Sequence, residues 1–118
     1  MLFSFLPDKS ISTIRDWISE LSIKVYIRNP RATKQGDFRV LNSKMQITIN
    51  SDLNKYSFLI TLTHEIAHAF VYRKHANTVK AHGLEWKGIF SKMLLKLVHL
   101  GCFPADIMEV LEVYIKNP

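Results

Sequence analysis

Cysteine is nearly missing: Cys102 is the only one in 118 residues. A single thiol excludes an intrachain disulfide and a Cys-rich zinc ribbon within these residues, and it fits a reducing, cytoplasmic setting. Glycine and proline are scarce, four of each. No Gly/Ser linker, repeat or low-complexity tract divides the chain. One domain over residues 1–118 is therefore expected, at a size that buries roughly 65% of the unfolded surface. Long apolar runs are missing too. Met1 to Pro7 lacks the length and the basic start of a signal peptide. Tyr56 to Tyr72 approaches a membrane span but carries two His and a Glu. Acidic residues are outnumbered, 10 against 16 Lys plus Arg, which leaves +6. A surplus of that sign points to an anionic partner, nucleic acid first.

The patterning present is α+β. Asp8 or Ser10 can cap a first helix to about Leu21, with Ile11, Ile14, Trp17, Ile18 and Leu21 at helical spacing. Ile23, Val25 and Ile27 alternate with polar neighbours as a strand that Asn29-Pro30 breaks. Phe38 to Leu41 follows Gly36-Asp37, and after an Asn42-Ser43 turn Met45, Ile47 and Ile49 alternate again. These close turns predict a small, mostly antiparallel sheet of three strands. Ser51 to Asn54 is rich in capping residues and precedes a helix over Lys55 to His75. After a polar loop, a third helix runs from Gly83 to Leu100 with Trp86, Ile89, Phe90, Met93, Leu94 and Leu97 toward the core. Gly101 is its C-terminal stop, and Pro104 opens a fourth helix to about Ile115.

His64-Glu65-Ile66-Ala67-His68 matches H-E-x-x-H. On a helix, residues four apart share a face about 6 Å apart along the axis, so both imidazoles can reach one zinc ion. Glu65 is then placed to take a proton from water activated at the metal. The surrounding helix supports this. Glu65 is the sole formally charged residue between Tyr56 and Tyr72. Phe58, Leu62, Ile66 and Ala69 share one face. Ser57, Thr61, His64, His68 and Tyr72 form a narrow polar stripe opposite, with Glu65 at its edge. A buried carboxylate and two imidazoles need partners. A third ligand is required. His75 lies about 10 Å beyond His68 on the same helix and cannot share the ion. Val71 and Lys74 stand where a metzincin pattern needs a glycine and a histidine. Glu85 adjoins Trp86 in the first turn of the third helix. His82 is the best candidate: it follows a loop long enough to double back, and Trp86 can anchor the helix that aims it.

His64-Glu65-Ile66-Ala67-His68 followed by His82-Gly83-Leu84-Glu85-Trp86 resembles the SprT-like metallopeptidase domain, the zincin family that includes the Spartan DNA–protein crosslink protease. Gly36-Asp37-Phe38-Arg39 and Ile47-Thr48-Ile49-Asn50 are similar to its strand region, so the likeness spans about Lys24 to Leu100. The resemblance implies a minimal zincin, with one zinc on His64, His68 and His82 and Glu65 as catalytic acid/base. It also implies a peptidase that meets DNA-associated or DNA-crosslinked proteins. Many relatives carry a zinc ribbon, which these residues lack.

The basic residues Arg28, Arg31 and Lys34 fall between the first two strands and are the expected contacts to DNA, with Arg39, Lys44, Arg73, Lys74 and Lys80 nearby in sequence. Tyr26, Phe38 and Tyr72 offer stacking surfaces that favour single strands. Arg39 has a second reading, as partner of a buried carboxylate. Tyr72 and His75 are candidates for stabilising an oxyanion. Two rival functions stand beside the peptidase: a DNA-binding or regulatory module with a structural zinc, and a metal-dependent hydrolase of something other than a peptide. A structural site has no use for Glu65.

Overall fold

Asn54 starts the central element. Its side-chain oxygen accepts from the Tyr56 and Ser57 amides at 3.0 and 2.9 Å, occupying two of the donors that every helix start leaves unpaired. The helix that follows, α2, runs unbroken over Lys55–His75. The computed structural model describes residues 1–116. Before α2 come α1 (Ile11–Leu21), β1 (Lys24–Arg28), β2 (Gly36–Leu41) and β3 (Lys44–Asn50). After it come α3 (Leu84–His99) and α4 (Ala105–Lys116). The expected α+β architecture of four helices and one small sheet is present. Pro104 lies just outside α4 rather than at its first position, and its carbonyl accepts from the Ile107 and Met108 amides.

The sheet is mixed, in the order β1-β3-β2. β2 and β3 form the expected antiparallel hairpin, turning at Asn42 and Ser43, both at positive φ. β1 differs from the mostly antiparallel expectation: it pairs parallel to β3, Val25 opposite Ile47 and Arg28 opposite Asn50. The reason is the connection over residues 29–35. Two strand spacings are about 9.6 Å, which seven residues cross easily, so the loop passes the end of β3 and leaves a place for it between its neighbours. Side chains stitch this crossing. Arg31 donates through Nε to Asn50 Oδ1 and through Nη1 to Thr48 Oγ1, both at 2.8 Å, and Asn50 Nδ2 donates to the Lys34 carbonyl at 2.7 Å.

Ile47 and Ile49 face α2 and are fully buried with Phe58, Leu62, Ile66 and Ala69. The apolar face read from the sequence is thus the one that packs on the sheet and on the neighbouring helices. Ile14, Trp17 and Leu21 of α1 join this core, as do Trp86, Phe90, Leu94 and Leu97 of α3. Leu6 is also buried, and Phe5 stacks on Phe58 with ring centroids 5.1 Å apart, so the apolar N-terminal stretch is part of the fold. Among the described residues no helix is long and apolar enough to cross a membrane.

Candidate metal centre

The polar stripe of α2 opens into a cleft. Ser57, Thr61, His64, His68 and Tyr72 are all half-buried, while the positions between them are mostly closed off from solvent. At the end of α2 the chain reverses. Ala76 takes φ 52° and ψ −130°, Thr78 donates from N and Oγ1 to the His75 carbonyl, and Gly83 begins α3. This reversal brings His82 back to the two helical histidines, 14 residues beyond His68. His68 Nε2 and His82 Nε2 lie 3.1 Å apart. Ring nitrogens of His64, His68 and His82 all fall within 4.8 Å of one another. Two nitrogens at about 2.05 Å from a tetrahedral zinc are about 3.3 Å apart, so the His68–His82 spacing fits a shared ion. Among the described residues this is the one such His/Cys/Asp/Glu cluster. His75 stays at the far end of α2 and Glu85 is exposed in the first turn of α3, so neither joins it.

Trp86 holds the arrangement. Its Nε1 donates to the His64 carbonyl at 3.3 Å. Its ring stacks on His68 at 5.3 Å and meets His64 and His82 edge-on at 4.7 and 4.8 Å. Phe90, one turn later, stacks behind it at 4.8 Å. On the opposite wall Phe38 of β2 lies 6.4 Å from His68 and 6.1 Å from Tyr72.

With this geometry, comparison with protein families becomes informative: residues 9–100 match the SprT-like family. The chain belongs to the SprT-like family. No curated protein and no solved structure matches it.

Electrostatics in this SprT-like cleft leave ring nitrogens free to bind a metal. Burial lowers His64 to about 4, helped by the His82 ring, and lowers His68 to about 4, helped by His64 and His82. Both rings are therefore neutral at pH 7 and offer lone pairs, as a metal requires. Glu65 is 7% exposed, and its Oε2 lies 3.2 Å from His64 Nδ1. Burial pushes its carboxyl up to about 7. The Asp37 charge adds to the rise, and Lys34 and Arg31 oppose it. Two neutral imidazoles, the His82 ring converging on them and a carboxyl tuned near neutrality fit a catalytic metal set.

The residues expected to contact DNA separate from one another. Arg31 turns inward onto Thr48 and Asn50, and its Nη2 is buried. It is a stitch in the fold rather than a free cation. Lys34 pairs with Asp37 at 3.6 Å. Arg28 lies over the Tyr26 ring at 5.1 Å and is exposed. Arg39 does partner a carboxylate, but a half-exposed one, Asp37, rather than the buried one expected. Its Nε and Nη2 donate to Asp37 Oδ2 at 2.9 and 2.8 Å, and together with Lys34 they hold the Asp37 carboxyl low against the effect of burial. Tyr72 lines the cleft beside His68. Sequence reasoning missed Ile60 and Gly36, which line the cleft beside Glu65. The spacing of Ile60, one turn before His64, was the available signal.

Proposed function

We propose that this SprT-like chain is a zinc-dependent endopeptidase. The observation that carries the reading is the convergence of His64, His68 and His82 within 4.8 Å beside a buried Glu65. In this reading the three histidines hold the ion. When bound, zinc polarises the scissile carbonyl and acidifies water. Glu65 accepts the proton of the attacking water and hands it to the departing amine, a role suited to a carboxyl lifted toward neutral pH. Trp86 fixes the imidazoles through its contacts with all three rings and keeps bulk water from one side of the cleft.

A closed structural zinc site is less well supported, because such sites take four protein ligands. Here three histidines converge, His82 is exposed, and a cavity of about 400 Å³ adjoins His64 and Glu65. A second property, association with DNA, has its own support on the outer face of the sheet. There Lys24 and Lys44 have no ion-pair partner among the described residues, and Tyr26 is 36% exposed.

One experiment tests the peptidase reading. Purified protein is assayed for metal content and for cleavage of an unstructured protein and of DNA-associated proteins, with and without single-stranded DNA. The expected result is about one zinc per chain and cleavage abolished by chelation. Metal-loaded protein that cleaves none of these substrates would remove the peptidase reading.

A further inference from the structure

Two unequal cavities flank the three histidines. The one beside His68, between Phe38, Tyr72 and the 76–81 loop, holds only about 180 Å³. The one beside His64 and Glu65 holds about 400 Å³. Its walls are Ile60, one turn before His64 on α2, and Trp86 and Phe90 of α3. Its rim is Gly36 against Thr61. A Cβ at Gly36 would stand 2.8 Å from Thr61 Cγ2 and 3.0 Å from Ile49 Cδ1, so strand and helix meet there at the limit of contact. The titratable groups that reach this cavity are His64 and Glu65 alone among its lining residues. A charged side chain entering it would lose water against Ile60, Trp86 and Phe90 and meet only these two groups, both committed to the metal centre in the proposed reading, whereas an apolar one would gain by burial.

We propose that this cavity selects the substrate: it takes one large apolar side chain, Leu, Met or Phe, of an extended polypeptide. The clause that this residue adjoins the bond to be cut rests on the peptidase reading; the binding preference does not. The space is sufficient, since about 400 Å³ lies in the range of pockets that bury a whole drug-sized ligand, roughly 300–1,000 Å³. The small cavity on the His68 side makes the selection one-sided.

Trp86 reports on occupancy directly. In a Trp17→Phe chain it is the only tryptophan left. Blocked tripeptides Ala-X-Ala, with X as Leu, Phe, Lys or Asp, are titrated against metal-free and zinc-loaded protein while its emission is followed. The Leu and Phe peptides should bind about tenfold or more tightly than the Lys and Asp peptides, as burial of one large apolar side chain implies, and shift the emission. Ile60 is half-buried, so Ile60→Phe and Ile60→Ala are both compatible with the fold, checked by thermal unfolding. Ile60→Phe should remove the advantage of the Phe peptide, and Ile60→Ala should keep it. Equal affinities across the four peptides, or an equal effect of Ile60→Phe on all of them, would overturn the proposal. Cleavage sites mapped on an unstructured protein separate the two readings. Apolar selection in binding without any cleavage leaves the pocket and removes the peptidase. Cleavage with no apolar residue enriched beside the cut leaves the peptidase and removes the pocket.

Discussion

The two faces of the small sheet treat charge in opposite ways. Toward α2, one carboxyl and three imidazoles are gathered in a cleft walled by Trp86, Phe90 and Phe38, where burial pushes the Glu65 carboxyl up to about 7 and the His64 and His68 rings down to about 4. On the outer face, cations are spread along strands. Some share a counter-charge, as Lys34 and Arg39 share the one carboxylate of Asp37, and others are left in water, as Lys24 and Lys44 are. The first arrangement raises the free energy of charge until a metal or a proton relieves it, which is the condition for chemistry. The second costs little and yields only weak, screened attraction, which is the condition for association. Large effects of substitution are therefore expected on the inner face and small ones on the outer.

The largest concerns Glu65. Glu65→Gln should keep zinc and fold but lose turnover by about a thousandfold, since the amide cannot take up the proton. Steady-state cleavage with parallel metal analysis measures this. Undiminished turnover would remove the inner face's claim to chemistry.

Next is the third ligand. His82→Ala should lower zinc affinity by more than about a hundredfold, beyond what loss of an outer hydrogen bond to a ligand costs, while His75→Ala should leave it unchanged. Competition with a chelator of known affinity reads both. Equal loss in the two variants would break the ligand assignment.

Both of these features were legible in the sequence because their determinants are local or repeat at helical spacing. Asn54 and the α2 periodicity mark the helix to its observed bounds, Lys55–His75, and Asn42-Ser43 marks the hairpin. His82 was reachable because a polar loop and Trp86 bracket it. The direction of β1 was not. Alternation in Val25 and Ile27 says which face is buried and nothing about which neighbour runs which way. Arg31 was misplaced for a related reason. Its partners, Thr48 and Asn50, lie 17 and 19 residues on, and only the crossing of the 29–35 loop brings them to it.

A third prediction uses the raised Glu65 carboxyl in metal-free protein. Its pKa is about 7 folded against 4.5 for the ordinary group. Between those values the folded chain holds a proton that the unfolded chain has lost. The group's contribution to stability is thus full below pH 4.5 and is lost as pH rises through 7. Glu65→Gln removes the cost. In chelator, the variant should be more stable than the parent at pH 8 by up to about 3 kcal/mol, and no more stable at pH 4.5. At pH 8 His64 and His68 are neutral in the folded and unfolded chain alike, so the difference there reads Glu65. Thermal or urea unfolding at the two pH values checks it. A gain that is the same at both would show that the carboxyl is not desolvated as the cleft requires.

The smallest effect belongs to the outer face, and it sharpens the contrast most. If DNA binds there, the free cations carry it, and Lys24, Lys44 and Arg28 around Tyr26 are those available. Arg31 is already committed to Thr48 and Asn50, and Lys34 to Asp37. Lys24→Glu with Lys44→Glu should weaken single-stranded DNA binding by several-fold at low salt. It should also flatten the log–log salt slope by about 1.4, two contacts at about 0.7 each. Lys34→Glu should do less, because its charge is already paired. Tyr26→Ala should cost a further factor at any salt if a base stacks on the ring. None of these changes should alter zinc content, since none of these residues reaches the cleft histidines. Fluorescence anisotropy across a salt series, beginning at roughly 50 mM, measures all three variants. If the parent chain binds no DNA under those conditions, or if the lysine reversals leave the slope unchanged, the outer face is a solvated surface. A peptidase on the inner face would then have to meet its substrates without help from that side.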